Sequence, residues 1–498
     1  MDLDVDDDAT GLAAQVAAGA IHPRELVDRA LAALDAVQPA LNAVVHRRDA
    51  EARAEAVGPL TGPFAGVPFA VKDLDGAMAG APYTQSCRLL AGQVARQDAA
   101  VIARMRRTGV IVVAKTNTPE FGILGVTEPA LHGPTRNPWS VAHSPGGSSG
   151  GSAALVAARA VPFAHAGDGG GSIRIPASHC GLFGLKPTRA RVPVGPDAGE
   201  GWSGYVQQAV VTRSVRDAAR MLDAIAGPLD GDPYQVLPPV RPYAEEVGAP
   251  PGRLRIALHD GSLFGRTIDP DHAEAVRAAG RQLEALGHRV TLAAPALDRA
   301  RLVRAYLVVV AAGVAAAVAS AEATVGRAAR PGDVEPATWL LAQIGRALSA
   351  LDLHQAREDA CAAGRLLAAF HQEHDVWVTA TTAHPPPRIG ALALTAAERA
   401  GLGVLRVAPV RGVLLRVLGD LAEKSLEQTP NTQLFNQTGQ PAMSVPLAQG
   451  PTGLPIGVQF AAGFGREDVL FRLASQLEQA HPWAGRRPPV CAPSLTGR

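Results

Sequence analysis

Apolar positions recur at helical spacing near the start of the chain. Leu12, Ala13, Val16 and Ala17 form one stripe, for which Thr10 is the natural N-cap, and Leu26, Val27, Ala30, Leu31 and Leu34 form a second behind Pro23. From Gly62 the texture changes. Residues 67–71 and 110–114 are short apolar runs bounded by glycine, proline or charge, as buried strands are, and residues 99–107 between them have helical spacing that stops at Gly109. The order strand, helix, strand predicts an α/β sheet with a parallel component.

Residues 145–184 are rich in glycine and serine. Flexible linkers share that composition, but a linker would not contain the apolar helical run 153–164, nor be followed by Ile173, Ile175, Leu182, Phe183 and Leu185. A stretch dense in proline and acidic residues, 228–251, reads as a surface excursion. Beyond it the pattern predicts a strand over 254–258, helices over 271–286 and 301–351, and a strand over 376–378 closed by the prolines at 385–387. A helix over 412–423, strands over 441–446 and 456–460 and a helix over 467–479 complete it. No internal repeat interrupts this order. At 498 residues the chain is long enough for about three average domains, although large α/β chains often form one unit, and by texture it divides into N-terminal helices (1–60), the strand–helix–strand and glycine–serine region (61–225), a helix-rich stretch (226–430) and C-terminal strands with a helix (431–498). Residues 305–321 carry no charge over 17 positions, at the short limit for spanning hydrocarbon. Their high alanine content points instead to a buried helix lining a core or pocket.

Charge narrows the range of partners. Lys plus Arg is 47 and Asp plus Glu is 46, so no global field of one sign gathers nucleic acid or an acidic membrane, and a small neutral molecule fits better. Cys87, Cys180, Cys361 and Cys491 are far apart, without zinc-type spacing, and read as reduced thiols. The first eight residues include five aspartates where a secretory signal would be basic, so a cytoplasmic location is expected.

Three segments carry candidate chemistry: Ala70-Val71-Lys72-Asp73, the serine-glycine run around Ser148, and Gly167-Asp168-Gly169-Gly170-Gly171-Ser172-Ile173-Arg174. Lys72 follows an apolar strand directly, where desolvation favours the neutral amine, which can act as a base. Bringing a lysine from about 10.4 to near 7 or 8 costs roughly 4 kcal/mol, which burial and hydrogen bonds must supply. A lone lysine at a strand end usually snorkels or pairs, so Lys72 gains meaning only in company. Gly169, Gly170 and Gly171 lack Cβ atoms and let backbone N–H groups turn toward one point beside Ser172, as an oxyanion hole requires. A phosphate cradle does not fit, because no lysine follows Gly171 as in a Walker loop and Ser172 stands where a dinucleotide fingerprint needs glycine. Residues 146–150 spell Gly-x-Ser-x-Gly, but no apolar strand leads into them as a nucleophile elbow demands, and His143 and His179 read as loop residues. Asp168 and Arg174 flank the loop with opposite charges and read as support.

These segments, in this order and with the serines 24 positions apart, resemble the lysine, cis-serine and nucleophilic serine of the amidase signature family. The resemblance extends to Asn117-Thr118-Pro119-Glu120-Phe121-Gly122, Gly184-Leu185-Lys186-Pro187-Thr188 and Phe435-Asn436-Gln437-Thr438-Gly439-Gln440-Pro441-Ala442, and covers most of the chain outside roughly 230–375. It implies an α/β fold with a mixed, mainly parallel β-sheet flanked by helices, forming one large domain. It also implies a nucleophilic Ser172, a bridging Ser148 behind a cis Gly147–Ser148 peptide, a basic Lys72, no metal or organic cofactor, and hydrolysis of a carbon–nitrogen bond through an acyl-enzyme. Segment 375–390 and Pro482-Trp483 are similar to the branch that cleaves nylon-type amides, which makes secondary amides such as nylon oligomers, aryl amides or carbamates the expected substrates, with ester cleavage as a side activity. The alternatives are a catalytically silent scaffold of the same fold and an amidotransferase subunit. Gly122 and Ile123 fall at the family's pocket position, and a glycine and alanine wall predicts a roomy, apolar pocket. Gly169 stands where the family commonly has a polar or branched residue, which predicts a looser, wider site. A homodimer is expected from base rates.

Overall fold

An eleven-stranded sheet links segments from both ends of the chain. Its strands, in the computed structural model, are β1 (Val44–Arg47), β2 (Pro68–Lys72), β3 (Ile111–Thr116), β4 (Phe163–Asp168), β5 (Phe183–Lys186), β6 (Gln207–Thr212), β7 (Arg255–Leu258), β8 (Arg289–Leu292), β9 (Val376–Ala380), β10 (Ala442–Gln449) and β11 (Pro455–Ala462). They lie in the order β1-β3-β2-β4-β6-β5-β10-β11-β9-β7-β8. The structure describes residues 8–264, 267–395, 411–424, 426–493 and 495, without side chains for 419–424, so most of the acidic N-terminus lies outside the described residues.

The sheet is mixed, as expected, but not mainly parallel. Four strand pairs run parallel and six antiparallel. Strand–helix–strand patterns reveal parallel pairs. The antiparallel ones come from a tight hairpin between β10 and β11 and from long-range partners such as β5 and β10, which local patterning does not display.

Fourteen helices pack around the sheet among the described residues: α1 (Ala9–Ala17), α2 (Pro23–Leu41), α3 (Asp49–Glu55), α4 (Ala100–Arg107), α5 (Gly150–Ala157), α6 (Arg174–Cys180), α7 (Val215–Ile225), α8 (Pro270–Ala285), α9 (Arg299–Val325), α10 (Pro336–Ala347), α11 (Ala350–Glu373), α12 (Arg411–Lys424), α13 (Gln433–Thr438) and α14 (Glu467–Ala480). All eight residues of α5 are buried, which is why it is apolar all round. The main apolar cluster joins α2, α4, α5, α7, α8 and α14 to the strands, while a second gathers α9, α10, α11 and α12 around Tyr205.

Three local expectations change. Asp8, not Thr10, caps α1 by accepting the Gly11 N–H at 2.8 Å, and the Thr10 hydroxyl donates to Asp217 at 2.7 Å. Segment 153–164 is not one helix: Arg159 turns left-handed at φ +60° and Pro162 lacks a donor, so α5 stops and β4 begins. Segment 301–351 is broken at Gly326, left-handed at φ +75°, before α10 starts on Pro336 and α11 behind a Ser349/Asp352 capping box. The excursion at 228–251 is exposed, with Leu237 and Val240 open to solvent. Helix α9 is long and apolar enough to cross a membrane by length and composition. It packs against α10 and α11, as a pocket-lining helix would.

Candidate active site

Every residue of β2 is buried, and the strand delivers Lys72 at its C-terminal end with 1% of its surface exposed. Its Nζ donates to Ser148 Oγ at 2.7 Å and lies 3.5 Å from the Gly167 carbonyl. Burial drives the Lys72 pKa down to about 8, while Asp75 and Asp168 oppose the shift by favouring the charged form. The neutral amine is therefore accessible near neutral pH, and among the described residues no carboxylate bonds to it directly. The Gly147–Ser148 peptide is cis, as the family resemblance implied.

The two serine loops touch. Ser149 N–H donates to the Ser172 carbonyl at 3.3 Å, and Ser149 Oγ donates to the Gly167 carbonyl at 3.2 Å. Between Ser144 and Cys180 every residue is buried except Ser172. That single opening faces a cavity of about 120 Å³ which Lys72, Ser148, Ser172 and Gly122 line together. Ile123, expected beside Gly122, is not on that wall and packs instead against an apolar cluster that includes Leu89, Phe121 and Val314.

Asp168, at the end of β4, organises the nucleophile loop. Its carboxylate accepts the N–H groups of Gly171 (2.7 Å) and Ile173 (3.2 Å) and meets the Arg174 guanidinium through two bonds of 2.9 Å, both side chains being fully buried. Burial alone would raise this carboxyl, but Arg174 and a hydrogen bond from Asn436 hold it well below the usual carboxylate range. Arg174 also donates to the Thr432 carbonyl, Gln459 Oε1 and Asn436 Oδ1 at 2.9, 2.7 and 2.6 Å, so the C-terminal segment clamps the loop. The reading of Asp168 and Arg174 as support thus has a physical form. The Gly171 N–H is committed to Asp168, which leaves Gly169 and Gly170 of the three donors expected from the sequence.

Two aromatic residues reach the site that sequence reasoning did not place there. Trp202 lines the cavity, and a side chain at Gly169 would sit 3.0 Å from its ring. The space vacated at Gly169 is therefore occupied, and the site is not widened as expected. Across the ring, a Cβ on Gly313 of α9 would lie 2.3 Å from Trp202 Cδ1. Gly313→Val is accordingly expected to lower stability by about 1–3 kcal/mol through overpacking; an unchanged urea-unfolding midpoint would show that Trp202 is not wedged there. Tyr306, also on α9, places its hydroxyl where a Gly170 side chain would be, 2.0 Å from that Cβ position. The available signal for Trp202 was a lone tryptophan between glycines 199, 201 and 204. The pocket at the nucleophile is small, not roomy, and opens beside a larger space of about 970 Å³ that shares Asp75, Gln85 and Ala317 with it. His179 lies buried in α6 rather than in a loop, with its pKa lowered to about 3 by burial, and His143 stays in a loop bonded to Ser140.

The Amidase family model matches residues 25–471. Similar proteins include 6-aminohexanoate-cyclic-dimer hydrolases from Pseudomonas sp. (strain NK87) and Paenarthrobacter ureafaciens, each 38% identical over 99% of this chain and 98% of the relative. A solved 6-aminohexanoate cyclic dimer hydrolase superposes with a TM-score of 0.89 at 36% identity, covering 98% of this chain and all of the other. A bacterial aryl acylamidase superposes with a TM-score of 0.84 at 25% identity, covering 96% of this chain and 98% of the other.

Proposed function

Given that the chain belongs to the amidase signature family, we propose that it hydrolyses secondary amides of the nylon-oligomer type through an acyl-enzyme on Ser172. The observation that carries this reading is the buried 2.7 Å contact from Lys72 to Ser148 in a cavity that opens at Ser172. Neutral Lys72 takes a proton relayed by Ser148 from Ser172, whose Oγ attacks the amide carbonyl. The N–H groups of Gly169, Gly170 and Ser172 stabilise the oxyanion. The proton returns through Ser148 to the leaving nitrogen, the C–N bond breaks, and water then frees the acid from Ser172.

A silent scaffold would have no use for a lysine desolvated against a serine beside Ser172, the one residue of the loop that is not fully buried. The substrate class is supported by the similarity to the 6-aminohexanoate-cyclic-dimer hydrolases over nearly the whole chain. The small inner cavity next to a large outer one suits a chain with one amide at the nucleophile and further atoms outside. Cys87 and Cys180, buried apart as free thiols, support a cytoplasmic location.

Amine release from a cyclic and a linear 6-aminohexanoate dimer, an anilide and a carbamate tests the reading, with Ser172→Ala beside the wild type. Release from a nylon dimer by wild type alone is the expected result. Release from the anilide only would move the assignment to aryl amides. Labelling of Ser172 by a fluorophosphonate without any release would keep the chemistry and remove these substrates.

A further inference from the structure

Behind the loop that carries Trp202 lies a second cavity of about 340 Å³, and it shares no lining residue with the catalytic one. Trp202 and Ser203 are both left-handed, at φ +47° and +51°, and this turn divides its side chains between the two cavities: Trp202 lines the first and Ser203 the second. This volume falls at the lower end of the range for small-molecule sites, about 300–1,000 Å³.

Its lining is chemically unfinished. Tyr205 is 2% exposed and its hydroxyl has no hydrogen-bond partner; Gln437 is fully buried and both its Nε2 and Oε1 lack one. Buried polar atoms without partners are uncommon, and two on one cavity wall point to a ligand. Arg189 enters the same wall. It donates to the carbonyls of Gly204, Asn436 and Gln437 at 3.1, 2.9 and 2.6 Å, and none of the described carboxylates forms an ion pair with it. Arg357, bonded to the Tyr234 hydroxyl at 3.2 Å, adds a second guanidinium. The lining holds two arginines against one carboxylate, Glu200, with polar groups from Ser203, Gln235 and Gln437 beside an apolar stretch from Val236, Ala360 and Phe464.

We propose that this cavity binds a small monocarboxylate with a short apolar tail, its carboxylate accepting from Arg357, from the remaining Nη1 of Arg189 and from the Tyr205 hydroxyl, and its tail against Val236, Ala360 and Phe464. A guanidinium fork matches a carboxylate in plane, and Glu200 together with the apolar wall disfavours a doubly charged phosphate.

Cys361 gives a local readout, because it lines this cavity and is exposed. The experiment follows alkylation of the full-length wild-type protein by iodoacetamide, read at the Cys361 peptide by mass spectrometry, while hexanoate is titrated in. Hexanoate is expected to slow Cys361 severalfold and leave Cys491 unaffected, with no protection from hexylamine or inorganic phosphate. The exposed change Arg357→Gln should raise the half-protecting concentration about tenfold, the loss of one charge-assisted hydrogen bond. Unaltered Cys361 alkylation up to the solubility limit of hexanoate, equal protection by hexylamine or phosphate, or an unshifted titration in Arg357→Gln would each overturn the proposal.

Discussion

Replacing Lys72 with alanine is expected to lower kcat by about 10²- to 10⁴-fold, the usual contribution of a general base, while leaving the unfolding midpoint close to wild type. The argument rests on position. Lys72 is buried, bonds to Ser148 and has no carboxylate on its ammonium, so its loss removes a proton acceptor rather than an ion pair. The wild-type pH profile follows from the same burial. With the folded-state pKa down at about 8, the active base form grows as pH rises, so kcat/KM should climb about tenfold per pH unit below that value and level off above it. In Lys72→Ala that limb should disappear. An unchanged profile in the variant, or full activity, would remove Lys72 from the proton path.

The second large effect concerns stability. Arg174→Leu should cost about 3–5 kcal/mol, because it leaves the Asp168 carboxylate buried without its charge partner. More than the pair is lost: the guanidinium also bonds to Thr432, Gln459 and Asn436, which hold the Ser172 loop against the C-terminal segment. Urea unfolding measures the change, and the Ser172 loop should lose fluorophosphonate reactivity in parallel. A cost under about 1 kcal/mol, the range of ordinary surface changes, would mean that the loop has another support.

The residues proposed to carry the chemistry could be singled out in the sequence because each sits in a frame that limits its use. An apolar strand ending in Lys72 gives a desolvated amine, and glycines before Ser172 give converging amides. Trp202 and Tyr306 were not readable, since they come from distant segments and touch the loop only after α9 has packed. Gly169 shows the same limit: the missing side chain is visible in the sequence, but the ring that fills its place is not. The proportion of parallel strands failed for a related reason, as β4 pairs antiparallel with β6 and β5 with β10 across connections that carry no local signal. Helix breaks at Arg159 and Gly326 depended on backbone handedness, which apolar periodicity does not encode.

The place of β10 and β11, between β5 and β9, has a consequence for the order in which the protein is made. Lys72, Ser148 and Ser172 leave the ribosome first, whereas Thr432, Asn436 and Gln459, which fix the Asp168–Arg174 loop, follow 258, 262 and 285 residues behind Arg174. N-terminal parts fold first during synthesis. A nascent chain therefore carries Lys72, Ser148 and Ser172 well before it has the clamp that shapes the Ser172 loop, and the proposed hydrolytic site is complete only once residue 459 has been added.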